Sequence, residues 1–226
     1  MRRLLVIFAL LTSLVSSAQR QYSPNFAVGA KGGVTLSMLS ISPSIDQKLT
    51  TGFTGGLVAR YMEENHFGLI GEVNITQRGW KEDFTETPEF SYSRTLTYIQ
   101  IPLLTHIYFG SPKARFFVNL GPEVGILLGD KISANFDYRN PSEVTGFPLH
   151  NRQTLQMGMD IHNRFDYGIA AGLGGEFIAN RRHSFMVEGR FYYGLGNIFP
   201  SAKKDHFSAS RSMSIEITAA YLFRLR

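Results

Sequence analysis

Long runs in which apolar and polar side chains alternate leave a chain few options, and this sequence repeats that pattern along most of its length. Between Ile99 and Phe109 the odd positions are Ile99, Ile101, Leu103, Thr105, Ile107 and Phe109, with Tyr98, Gln100, His106 and Tyr108 among the even ones. After the turn Gly110-Ser111-Pro112-Lys113 the alternation resumes, with Phe116, Val118, Leu120, Val124, Ile126 and Leu128 on one side and Asn119, Gly121, Glu123 and Gly125 on the other. A period of two is the strand period. Soluble strands average about 5–6 residues, whereas a tilted strand needs about 9–11 to cross the hydrocarbon of a bilayer. Tyr98 to Leu128 therefore reads as a hairpin of two membrane-length antiparallel strands.

The same pattern predicts six further strands, at Phe26–Met38, Phe53–Tyr61, Phe67–Thr76, Phe165–Phe177, Phe185–Leu195 and Arg211–Arg224. Short turns near 62–66, 110–113 and 179–182 alternate with long loops near 40–50, 79–94, 129–164 and 197–210, so the two kinds of connection sort onto opposite ends. An even strand number with that sorting predicts an all-β fold, an eight-stranded antiparallel transmembrane β-barrel with short periplasmic turns and long extracellular loops. Phe53, Tyr61, Phe67, Phe109, Phe165, Tyr167, Tyr221 and Phe223 lie near strand ends, where aromatic girdles belong. Pro102 and Pro122 sit inside predicted strands, and bulges near the periplasmic ends would accommodate them.

A soluble barrel would also alternate, and the polar face decides against it. That face carries Lys31, Arg60, Glu72, Arg78, Glu123, Asp166, Glu176, Glu188, Arg190, Glu216 and Arg224, interleaved with Gly33, Gly56, Gly121, Gly168, Gly172 and Gly174. Glycines weaken a solvated strand and pack nothing there; inside a narrow barrel they make room for long charged chains. An eight-stranded barrel is just wide enough to be filled by side chains. Arg60, Lys31 and Arg190 are accordingly expected to pair with Glu72, Glu123, Glu188 and Glu216 in a structural lumen network, because charges away from water must pair. A proton or ion path is the alternative.

The N-terminus carries Arg2 and Arg3, the apolar run Leu4–Leu11 and the small residues Ser16-Ser17-Ala18, which together read as a signal peptide over residues 1–18 and leave a barrel domain over 19–226. The apolar run is too short for a membrane helix. The absence of cysteine among the 226 residues removes disulfides and thiol chemistry. The formal net charge of +5 falls to +3 without Arg2 and Arg3, and its basic residues are scattered among acids, which is no footprint for nucleic acid.

Tyr98-Ile99-Gln100-Ile101-Pro102-Leu103-Leu104 resembles a recurrent segment of the PorT-like outer-membrane β-barrel family of Bacteroidota. The segments beginning at Asn119 (NLGPEVG), Phe165 (FDYGIAAGLG) and Arg190 (RFYYGLGNI) are similar to that family in order and spacing. Gln100 stands where the family usually has an acid, and His106 where it usually has lysine. The resemblance spans the mature chain and implies an outer-membrane barrel, with Pro102 and Pro122 as family features. It also implies a link to type IX secretion.

No cofactor or catalytic motif emerges. The six histidines show no ligand spacing, and Gly172-Leu173-Gly174 lies within a strand rather than before a helix. The leading expectation is a non-enzymatic envelope component in the outer membrane, with a small porin as one alternative. A lipid-modifying enzyme using Ser142, His150 or His162 is another. The expected partners are outer-membrane lipid and lipopolysaccharide, the barrel-assembly machinery and envelope proteins. Trp80, Phe84, Tyr92, Tyr138 and Phe147 fall in predicted loops, where such residues serve as binding anchors or fold the loops over the barrel mouth.

Overall fold

The computed structural model describes residues 25–225 apart from 65, 151 and 203–204. The expected signal peptide lies outside the described residues. Eight long strands form the wall, β1 (Asn25–Ser42), β2 (Thr50–Glu64), β3 (Phe67–Glu82), β4 (Tyr92–Gly110), β5 (Ala114–Ala134), β6 (Phe165–Ile178), β7 (His183–Gly194) and β8 (Ala209–Arg224). Each pairs antiparallel with its neighbours in sequence, and β1 pairs with β8 from Ala27 opposite Arg224 to Ser42 opposite Ala209, which closes the ring. Closure satisfies the edge hydrogen bonds that a bilayer could not. Among the described residues no helix is long and apolar enough to cross a membrane, and the only α-turn, α1 (Leu155–Gly158), lies in the β5–β6 loop.

The outward positions are apolar and exposed, among them Leu57, Val73, Leu103, Leu120, Leu173, Val187 and Ile217. From Phe116 to Leu128 on β5 the apolar band is about 30 Å tall for a strand tilted ~40°. At the turn end it finishes in exposed aromatics, including Phe26, Phe67, Phe109, Phe116, Phe177 and Phe185.

Two expectations need correction. The prolines cause no bulge, since β4 and β5 keep one register from Ile101 opposite Val124 to Thr105 opposite Leu120, and Pro122 sits in step opposite Ile169. The shift in this hairpin lies between Thr97 and Tyr98, toward the loop end. Pro102 costs only a local gap, because β3–β4 pairing passes from Gly71–Leu103 to Asn74–Gln100 without changing register.

The second correction concerns length. The predicted loop 79–94 is strand at both ends, with β3 running to Glu82 and β4 starting at Tyr92, while β5 continues to Ala134. Above the apolar band the polarity of the wall inverts. Lys81, Ser93, Thr95 and Lys131 face outward, while Trp80, Tyr92, Leu96 and Tyr98 are buried inside. Strands with polar outer faces project beyond the membrane as a small water-exposed cylinder with these aromatic and apolar side chains inside it.

Candidate functional site

The barrel interior is filled in layers. Nearest the turns, Arg60 pairs with Glu176 at 2.8 Å, and Arg115 approaches the same carboxylate at 3.8 Å. In the middle, Arg190 donates two bonds to Glu72, at 2.8 and 2.7 Å, and two to Glu188, at 3.1 and 2.7 Å. Lys31 reaches Glu72 at 2.9 Å, Asn74 donates to Glu72 at 2.8 Å, and Asn119 donates to Glu188 at 2.8 Å. A Cβ at Gly172 would lie 2.4 Å from the Glu188 Oε1 and 3.3 Å from the Arg190 Cβ, so the bare backbone there is the space the network occupies.

The next layer up centres on Arg78, which pairs with Glu123, with Asp166 at 3.4 Å and with Glu216 at 4.0 Å. Its guanidinium lies 3.9 Å from the centre of the Tyr192 ring. Gln100 donates to Glu123 and, at 3.1 Å, to Glu216, and accepts from Thr76 at 2.7 Å. A neutral amide between two carboxylates bridges where an acid would repel, which gives the departure at Gln100 a physical sense. His106 shares a 2.7 Å hydrogen bond with Asn119, linking it to the middle layer through Glu188.

Above these layers the loops close the mouth. Trp80, Phe84, Tyr92, Leu96, Phe147, Met157, Phe199 and Phe207 form one apolar cluster with Tyr138 packed against it. Polar bonds pin the β5–β6 loop into this cluster around α1. Tyr92 donates its hydroxyl to the Met157 carbonyl at 2.8 Å, and Arg94 donates to the carbonyls of Met159 at 2.5 Å and Gln156 at 3.5 Å while holding Asp130 with its Nε at 2.9 and 3.0 Å. Glu82 accepts from the Gln156 Nε2 at 3.0 Å and pairs with Arg152 at 3.4 Å.

Glu82 stands in the water-exposed cylinder, next to outward Lys81, and burial pushes its carboxyl up to about 7, against the pull of Gln156 and Arg152 and with Asp46 adding to the rise. An acid that holds its proton more tightly folded than unfolded stabilises below its ordinary value and loses that contribution as pH rises from 4.5 to about 7. The cap is therefore expected to be tighter at pH 5 than at pH 8, each unit of the window being worth about 1.4 kcal/mol. Acrylamide quenching of Trp80, the only tryptophan, reads this. Wild type should quench more at pH 8, and Glu82→Gln should flatten the difference; an equal pH response in both proteins would refute the assignment. Outside the wall, Asp83 is held down to about 2 by the Thr85 hydroxyl and by Lys48.

Every acid and base of the expected lumen network is buried inside the wall, namely Lys31, Arg60, Glu72, Glu123, Glu176, Glu188, Arg190 and Glu216. Their pairing differs from expectation in two respects, the first being that Arg60 pairs with Glu176 rather than with Glu72, Glu123, Glu188 or Glu216. The second is that Glu123 and Glu216 pair with Arg78, rather than with Arg60, Lys31 or Arg190. Sequence reading missed the Arg94–Asp130 and Glu82–Gln156–Arg152 contacts, although Tyr92, Leu96 and Tyr98 alternating with Ser93, Thr95 and Thr97 carried the signal of a strand with inverted polarity.

Of the two readings of the loop aromatics, the buried cap fits the one in which they fold the loops over the mouth and not the one in which they are exposed anchors. Trp80 and Tyr92 are fully buried on strands, Phe84 and Phe147 are buried in the cap, and Tyr138 is half-buried with its ring centre 6.0 Å from that of Tyr92. They fold the loops down because their inner faces meet one another. Ser142, His150 and His162 are exposed, and among the described residues no hydrogen bond joins them. Nor do the described residues place three or more metal-ligating side chains together.

The outer membrane protein OprG of Pseudomonas aeruginosa superposes with a TM-score of 0.52 at 10% identity, over 90% of this chain and 97% of that one. Neisserial surface protein A aligns with a TM-score of 0.45 at 14% identity, over 89% and 99%. No curated protein matches the sequence. The family model described as outer membrane protein beta-barrel domain matches residues 17–200. With its closed ring of lipid-facing strands, the chain belongs to that family, and the protein resides in the outer membrane.

Proposed function

We propose that this protein is a closed, non-enzymatic barrel that serves the envelope as a structural or docking component and conducts no solute. The observation that carries this reading is the filled lumen, in which three successive layers of buried ion pairs lie beneath an apolar cap. Side chains bonded this closely occupy the narrow lumen of an eight-stranded barrel, and opening a wet path would separate pairs at a cost of about 3–5 kcal/mol each, by comparison with broken buried pairs. In planar bilayers the purified barrel should be silent under voltages at which porins conduct. Stable ohmic openings would instead establish the small-porin reading.

The partners of such a barrel are lipid and lipopolysaccharide around its belt, the barrel-assembly machinery during insertion and envelope proteins at its ends. The resemblance of Tyr98–Leu104 and the later segments to PorT-like barrels supports the type IX secretion machinery as the envelope partner. Cross-linked co-purification from native membranes tests this, and recovery of the barrel without any component of that machinery would remove the link.

A further inference from the structure

The end of the barrel opposite the cap carries a cavity whose lining is one-sided in charge. A cavity of about 480 Å³ is bounded by the β4–β5 and β6–β7 turns and by the start of β1 and end of β8. Its lining carries six basic side chains, Arg60, Lys113, Arg115, Arg181, Arg182 and Arg224, against the single carboxylate of Glu176. That carboxylate is already engaged by Arg60 at 2.8 Å and Arg115 at 3.8 Å. Lys113, Arg181 and Arg182 stand exposed on the two turns.

The turns that present them are braced. Ile178 N–H donates to the Lys113 carbonyl at 2.8 Å, joining one turn to the other, and Arg224 N–H donates to the Arg182 carbonyl at 2.7 Å. Within the β6–β7 turn the Asn180 Oδ1 accepts from the backbone N–H of Arg182 at 2.9 Å and of His183 at 3.0 Å. The same cavity is lined by Phe177, which is 59% exposed on the lipid face. A ligand seated here meets cations at the strand ends and a lipid-facing aromatic just beyond them.

We propose that this rim binds the phosphate headgroup of an anionic lipid from the adjoining leaflet, which is the periplasmic one if the short turns face inward as in other outer-membrane barrels. The guanidinium fork matches phosphate oxygens two at a time. The cavity falls in the range of small-ligand sites, about 300–1,000 Å³, which is far more room than a bare phosphate needs. The continuity from cationic turn to Phe177 suits an amphiphile, with its headgroup at the rim and the start of its acyl chains along the girdle.

The test uses the full barrel, purified and delipidated in detergent, then titrated separately with phosphatidylglycerol, phosphatidylcholine and inorganic phosphate under native mass spectrometry. The triple variant K113Q/R181Q/R182Q removes exposed charges outside the lumen layers, and K48Q/K81Q/K131Q removes the same charge from the capped end. Phosphatidylglycerol should bind the wild type and the capped-end variant alike, and the rim variant about tenfold or more weakly. Equal binding to all three, equal loss in both variants, or phosphatidylcholine binding as well as phosphatidylglycerol would overturn the proposal. Inorganic phosphate displacing the lipid at equal concentration would assign the site to free phosphate and overturn the lipid as its source. Should the rim variant fail to fold, salt decides on wild type alone. Binding at the rim should weaken on passing from low to high ionic strength, and salt-independent retention would refute it.

Discussion

An Arg190→Leu barrel is expected to lose about 3–5 kcal/mol of stability, the range found when one member of a buried ion pair is removed. Arg190 is almost fully buried and binds Glu72 and Glu188 together, so its loss leaves two buried carboxylates without the charge they share. Glu72 keeps Lys31 and Asn74, whereas Glu188 keeps Asn119. Removing the second charge as well, in R190L/E188L, should regain most of the loss, because a buried pair replaced by apolar volume is often close to neutral. Urea unfolding in detergent, read by the heat-dependent shift of the folded band on gels, measures both variants. A single variant as stable as wild type would mean the middle layer is not what holds the lumen together.

Replacing residues 141–160 with a short Gly-Ser linker should leave the barrel inserted and folded, while Trp80 passes from a dry to a wet site. The excised segment carries Phe147, Gln156 and Met157, which close the cap over Trp80, Tyr92 and Leu96. Each large apolar side chain uncovered forfeits about 1.5–3 kcal/mol, yet that loss is confined to the cylinder above the membrane. Loop-closure entropy changes slowly with length, so the linker itself costs little. Trp80 emission should shift to the red and become accessible to quencher. The excised barrel should remain electrically silent, since the ionic layers beneath the cap are untouched. Conductance appearing on excision would place the seal in the cap instead and would contradict a lumen closed by its charges.

How much of this was legible depends on how far each property reaches along the chain. Alternation is local, so Tyr98–Phe109 and Phe116–Leu128 declared their strands, their lipid-facing side and their turn without any knowledge of neighbours. The sorting of short and long connections then set the number of strands and the closed ring, and the charges interleaved with glycine set which face looks inward. Where the membrane ends, the rule that apolar means outward reverses, and Gly79–Arg94 looked like a loop because its alternation runs in the opposite sense. Trp80, Tyr92 and Arg94 thereby fall in a predicted loop, whereas they stand on strands and build the floor of the cap.

What the tertiary structure alone decided is who meets whom across the lumen. Arg190 and Glu72 are 118 residues apart, Arg60 and Glu176 are carried on strands from opposite halves of the chain, and Arg78 gathers Glu123, Asp166 and Glu216 from three different strands. No period in the sequence encodes those meetings, because they depend on the tilt and register of the closed ring, which set the height at which each inward side chain stands. The sequence by itself determined that these charges must face inward and be paired. Only the closed barrel determined the pairs, because it is the stagger of the strands that brings each arginine level with its carboxylates.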